Sequence, residues 1–238
     1  MTTLIDRIVI AVPDLIAAQQ EYQTLLGVDA IEIEDPGGEP CVWFALPNTV
    51  MELRQKAVTQ AVFSGLVFSQ PESGRIDSPL TNPFDLALEI CDGRRTTQFR
   101  IDQPNACSAL SIDHIVLQTL DGDACVEFFG EQLGIRLALD KTVPQWGGRM
   151  LFFRTGKLTL EVIQSENDKP EKDYFWGIAL QCDNLADTSD RLVQDGVVLS
   201  DLRQGRKAGT RVATVKSHAL GIPTLLIEPA AGQVLQTT

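Results

Sequence analysis

Two histidines, His114 and His218, and three glutamates set inside apolar runs, Glu52, Glu161 and Glu228, are the residues of this chain best suited to acid–base or metal chemistry. Imidazole and carboxylate groups exchange protons when their surroundings tune them, and both bind divalent ions. Strand alternation puts His114, Val116 and Gln118 on one face of their segment and Thr159, Glu161 and Ile163 on one face of theirs, so His114 and Glu161 can meet if those faces do. His218 tempts toward an iron centre of two histidines and a carboxylate. Yet Arg211 to His218, a turn near Ala219 to Ile222, and Pro223 to Glu228 read as a hairpin, which holds His218 roughly 16 Å along the strands from Glu228. It is read as a rim or surface residue. Pro144-Gln145-Trp146-Gly147-Gly148-Arg149-Met150-Leu151-Phe152-Phe153-Arg154 joins a glycine pair to aromatic and basic side chains. It could close over a small molecule, with Arg149 or Arg154 pairing a carboxylate and Phe153 and Gln118 adding contacts. Its plain reading is a turn into a core strand, as for Trp43 and Phe44.

These residues sit at fixed places in a repeat. Leu4 to Val12 reads as a strand, Asp14 as a helix cap, Leu15, Ala18, Tyr22 and Leu25 as one helix face, and Gly27 as the stop. The pattern returns at Ile112 to Gln118, with Asp121 as cap, Cys125, Phe128, Phe129 and Leu133 as the apolar face, and Gly134 as stop. It returns again at Phe175 to Leu180, with Asn184, then Leu185, Leu192 and Val193, then Gly196. In each copy the cap lies seven positions beyond one marker residue, Arg7, His114 or Gly177. Glu52, Glu161 and Glu228 follow those markers by 45, 47 and 51 residues. The unit is βαβββ. A second copy opens at Phe63 to Phe68, but Gln70 to Pro83 is too rich in Pro, Ser and Gly for a helix. Phe84 to Ile90 and Thr96 to Ile101 are expected to be its remaining strands, and Asp102 to Ala109 the interdomain linker.

Composition narrows the class of partner. Acidic residues outnumber basic ones by 32 to 20, and a net charge of −12 disfavours nucleic acid and anionic membranes. The cluster Arg203, Arg206, Lys207 and Arg211 could still hold one small anion, although Gly205 to Thr210 lacks phosphate-loop spacing. Five scattered cysteines without a CxxC pair read as reduced thiols. With no signal-peptide pattern at the start and no apolar run long enough for a membrane span, the cytoplasm is the expected compartment.

Ile112-Asp113-His114-Ile115-Val116 with Leu133-Gly134, and Ile5-Asp6-Arg7-Ile8-Val9 with Leu26-Gly27, resemble the signature of the vicinal oxygen chelate superfamily, which includes glyoxalases, bleomycin resistance proteins and dioxygenases. The resemblance implies an α+β fold in which paired βαβββ units form cup-shaped mixed sheets. Two tandem domains are expected, 1–103 with a degenerate site and 110–232 with the candidate active site. Family ligand positions fall on His114, Glu161, Gly177 and Glu228, so one ligand is missing. The implied metal set is His114, Glu161 and Glu228 around one divalent ion (Zn, Mn, Ni or Mg), or no metal at all. Glu161 and Glu228 would move protons, and Arg149, Phe153 and Gln118 would contact substrate. The implied activity is isomerase or lyase chemistry on a small oxygen-bearing molecule, with metal-free sequestration as the alternative and dioxygenase activity disfavoured. A homodimer is compatible with the resemblance. In the N-terminal half the matching positions are Arg7, Glu52 and Gly65, where Arg7 and Glu52 would form an ion pair instead of a metal site.

Overall fold

The computed structural model describes residues 3–34, 38–71, 74, 77–103, 108–144 and 147–230. Gln145 and Trp146, and residues 104–107 of the expected linker, lie outside them. The first unit is β1 (Leu4–Val12), α1 (Leu15–Leu26), β2 (Ile31–Glu34), β3 (Pro40–Ala45) and β4 (Val50–Gln55). The second is β5 (Val62–Ser69), β6 (Ser78–Pro79), β7 (Ala87–Cys91) and a trailing helix α2 (Arg94–Asp102). The third is β8 (Ser111–Gln118), α3 (Gly122–Cys125, continued as a π-helix over Val126–Gln132), β9 (Arg136–Val143), β10 (Gly148–Thr155) and β11 (Leu158–Ser165). The fourth is β12 (Tyr174–Gln181), α4 (Leu185–Gln194), β13 (Arg203–Gln204), β14 (Arg211–Val215) and β15 (Thr224–Glu228).

Local chemistry explains the helices. Asp14 accepts a hydrogen bond from the Ala17 amide, Asp121 from Asp123 and Ala124, and Asn184 from Ala186 and Asp187. These side chains satisfy amides that the first helical turn leaves without partners. Gly27, Gly134 and Gly196 then leave the helices at φ of 69°, 68° and 88°, a region that glycine enters without steric cost.

Two mixed sheets result. Their orders are β2-β3-β4-β1-β5-β7-β6 and β13-β14-β15-β12-β8-β11-β10-β9. In every unit the last strand runs parallel beside the first, and the two first strands of each sheet pair antiparallel at its centre. The helix-bearing faces pack against one another through one apolar cluster containing Ile8, Ile10 and Phe68 from the first sheet and Ile115, Leu117 and Leu160 from the second. Phe63 stacks on Phe175 with centroids 4.7 Å apart, and Phe84 on Phe129 at 5.6 Å. Fully burying a side chain of this size is worth about 1.5–3 kcal/mol, which fixes the helix-bearing faces inward and leaves the opposite faces for other uses.

The second unit departs from expectation. Thr96 to Ile101 is helical, within α2, and is not a strand. Asp92 accepts a hydrogen bond from the Arg94 amide after Gly93 turns the chain at φ 74°, and Thr96 and Phe99 are buried three residues apart on one helical face. β7 begins at Ala87 instead of Phe84, because Asp85 takes a positive φ of 54°. No helix follows β5 among the described residues. The helix lies after the unit's last strand, against the open face of the first sheet.

Candidate functional site

The open faces of the two sheets have opposite contents. On the first sheet, Phe99 of α2 meets Trp43 edge to face at 5.3 Å, in a small cluster with Ala45 and Val50. Arg7 is 1% exposed; it donates to Glu52 at 2.7 Å and to Asp6 at 2.8 Å, contacts Asp77, and stacks 5.0 Å from the Trp43 ring. Glu52 also accepts from Trp43 at 2.9 Å and from Arg54 at 2.6 Å. The expected Arg7–Glu52 ion pair is present, within a buried network that α2 seals.

The open face of the second sheet carries a cavity of about 440 Å³ lined by Asp113, His114, Phe152, Arg154, Lys157, Thr159, Gln181, Lys207, Thr210, Ile227 and Pro229. Parallel pairing of β8 with β11 sets His114 beside Thr159 and Val116 beside Glu161. His114 Nε2 stands 3.6 Å from Glu161, and its Nδ1 is 2.7 Å from Asp113. Asp113 reaches its neighbour because the β8–β12 register slips there, and Asp6 reaches Arg7 at the matching slip in β1. Burial pulls the His114 pKa down, but the Asp113 hydrogen bond and the Glu161 and Asp113 charges outweigh it and raise the value. Burial raises that of Glu161, against the opposing pull of His114 and Arg206.

The remaining expected site residues are elsewhere. Glu228 shares the helix-side face of β15 with Leu226. It accepts from the Leu185 amide at 2.6 Å, at the start of α4, and pairs with Arg211 at 2.5 Å. These two partners hold its carboxyl below the usual range. Ala179, two residues beyond Gly177, pairs with Leu225, so Leu225 occupies the place that Glu161 holds beside Val116. The 51-residue spacing to Glu228, against 45 and 47, was the available signal: Leu225 gives 48. Arg149 faces the helix side, bonded to Asp140 through two nitrogens and to Asp123. Phe153 is fully buried against Phe129. Both expectations were one residue out of phase along β10, where Phe152 and Arg154 reach the cavity. Gln118 is on the His114 face but not on the cavity wall. His218 lies in the turn between β14 and β15 at φ 60°, next to Ser217.

A divalent ion finds few ligands here. His114 and Glu161 converge, Glu228 is on the opposite face, and Leu225 is apolar. Gly177 is also locked: a Cβ there would lie 2.5 Å from the Pro223 carbonyl oxygen. No group of three potential metal-binding side chains occurs among the described residues. Two donors fall short of the three protein ligands usual at catalytic zinc, so this set does not fit the ion that the resemblance implied.

Loss of Glu228 as a charged group should weaken α4. Its folded pKa is depressed, so its contribution is complete above the unfolded value of about 4.3 and disappears as pH falls through the lower folded value. Urea denaturation should find Glu228→Gln less stable by about 1 kcal/mol at pH 7, with the gap narrowing as pH is lowered past the unfolded value. A gap unchanged on acidification would contradict that account.

Three βαβββ units and one whose helix trails its last strand, paired in two mixed sheets with a ligand-sized cup on one, have the architecture of the vicinal oxygen chelate fold. Residues 111–217 match the model of the Glyoxalase/Bleomycin resistance protein/Dioxygenase superfamily. A triple mutant of 4-hydroxymandelate synthase from Streptomyces coelicolor shares its fold with a TM-score of 0.72 at 12% identity, over 97% of this chain and 94% of the other. A halotolerant catechol dioxygenase gives 0.65 at 12% identity, over 96% and 87%. No curated protein matches by sequence. No described helix is long and apolar enough to cross a membrane.

Proposed function

We propose that the C-terminal cup binds a small oxygen-bearing organic molecule directly on its own side chains, without a divalent ion as anchor. The observation that best supports this reading is the donor set: a histidine and one glutamate converge beside a cavity of about 440 Å³, within the usual 300–1,000 Å³ range of ligand pockets. Asp113 accepts from Nδ1 and fixes the His114 ring, and Nε2, 3.6 Å from Glu161, faces a ligand as an acceptor in the neutral ring and as a donor to a ligand oxygen in the imidazolium that Asp113 and Glu161 favour. Phe152, Ile227 and Pro229 supply an apolar wall.

Metal analysis tests the reading. After loading with Zn, Mn, Ni or Mg and desalting, the protein should hold well under one equivalent, and His114→Ala should change nothing. One equivalent retained by wild type and lost in His114→Ala would overturn it.

The His114–Glu161 apposition favours a second reading, proton transfer in an isomerase or lyase. His114 would take a proton from carbon beside a ligand carbonyl and return it, while Asp113 and Glu161 balance the imidazolium charge. The signature would be exchange of that proton for solvent deuterium, lost in His114→Gln while ligand binding persists.

A further inference from the structure

We infer that the C-terminal cup takes a small organic acid that is anionic at one end only, its carboxylate held by Arg154 and a second, uncharged oxygen function facing His114. This rests on the reading that the cup binds a ligand, and adds the ligand's charge and direction. The chain as a whole carries −12, yet one rim of the cup gathers three cations. Arg136 on β9 pairs directly opposite Arg154 on β10, and Lys157 follows in the turn to β11. Opposed residues of an antiparallel pair share a face, and Leu137 and Phe153, the next pair, turn to the apolar helix side. Like charges opposed in this way cost stability unless an anion joins them. No carboxylate of the described residues pairs with any of the three.

The neighbouring strand turns Arg154 toward His114. Arg154 pairs with Thr159 on β11 and donates to that buried side chain at 2.8 Å. Thr159 pairs in turn with His114 on β8, so the three residues form one row across strands about 4.8 Å apart. The row lies on the cavity wall, with Lys157 beside it. Thr159 engages a single guanidinium nitrogen, and the planar fork beyond it suits a carboxylate.

Charge changes along that row. At the His114 end, Asp113 holds Nδ1, and Glu161 stands 3.6 Å from Nε2. A second negative charge there would meet two carboxylates, whereas a hydroxyl or carbonyl oxygen would find the imidazole, and the Gln181 amide on the same wall. Phe152 and Ile227 line the flanks. A molecule charged at the Arg154 end and polar but neutral at the His114 end meets both halves, while a dianion or an apolar compound meets only one.

NMR titration of the Arg154 Nε–H and His114 imidazole signals compares β-hydroxybutyrate with its neutral methyl ester, with butyrate and with inorganic phosphate. β-Hydroxybutyrate should move both signals. It should bind about tenfold tighter than the ester or phosphate, the size of one charge-assisted contact, and about threefold tighter than butyrate, which lacks the neutral oxygen. Its affinity should fall about tenfold in Arg154→Ala, a variant of an exposed side chain, and less in Arg154→Lys, which keeps the charge but not the fork. Ester or phosphate bound as tightly as β-hydroxybutyrate, or an affinity that Arg154→Ala leaves unchanged, would overturn the carboxylate assignment. Butyrate bound as tightly would overturn the second oxygen. If the ester moves the His114 signal while neither carboxylate binds, the charge assignment falls and the ligand-cup reading stands. If none of the four compounds moves a signal of the cup, both fall.

Discussion

Arg7→Met should cost about 3–5 kcal/mol, the usual consequence of removing one partner from a buried ion network. Arg7 is 1% exposed and faces Glu52, Asp6 and Asp77. Without it, carboxylates beneath α2 lose their principal counter-charge, and each must either protonate or draw in water. Burial already raises the pKa of Asp6, with Arg7 as the leading opposing influence. Against a typical total stability of about 5–15 kcal/mol, such a loss is large, and guanidinium denaturation measures it directly. Arg7→Met combined with Glu52→Gln should recover part of the deficit, because it removes one stranded charge as well. A single-variant loss below about 1 kcal/mol would mean that water reaches the network and that α2 is not a seal.

Gly177→His is the substitution that the family pattern invites, and it should fail to create a metal site. The first atom it adds would sit 2.5 Å from the Pro223 oxygen and 3.1 Å from the Pro223 Cβ, so β12 and the approach to β15 would have to separate. Overpacking of this kind costs about 1–3 kcal/mol, and Gly177→Ala should already carry most of it, since the clash begins at Cβ. Thermal unfolding of both variants, with zinc titration of the histidine variant, tests this. A Gly177→His protein as stable as wild type and holding one zinc would show that the strands yield easily. Gly65, the matching residue in the first sheet, has the same constraint more tightly, with a built Cβ 2.1 Å from the Ala87 oxygen. Both glycines therefore mark places where a neighbouring backbone has closed in, a stronger statement than a lost ligand.

Much of the architecture was legible because it is written in local chemistry. Asp14, Asp121 and Asn184 cap helices at the expected register, and Gly27, Gly134 and Gly196 end them. The alternation His114-Val116 and Thr159-Glu161 brought one pair together, since a strand's period of two leaves little ambiguity once one face is apolar. The same period explains the errors. Arg149 and Phe153 were assigned to the cup, and a phase error of one residue on β10 sends them to the helix side. Glu228 failed for a related reason: its apolar neighbours suit either face of β15, and contact with the α4 amide and Arg211 decides which face it occupies.

The sequence by itself determined four related units, their caps and stops, and the weakness of the second, because each follows from spacing within a strand or between a strand and its helix; the His114–Glu161 and Arg7–Glu52 pairings needed the strand order that the family resemblance implied. Tertiary structure alone decided what occupies the two open faces. Thr96 and Phe99 gave no sign that α2 would fold over Arg7 and Trp43, and Arg154 and Lys207 lie 53 positions apart with nothing local to join them. Curvature of a whole sheet brings such residues to one cavity, and curvature is a property of all its strands together.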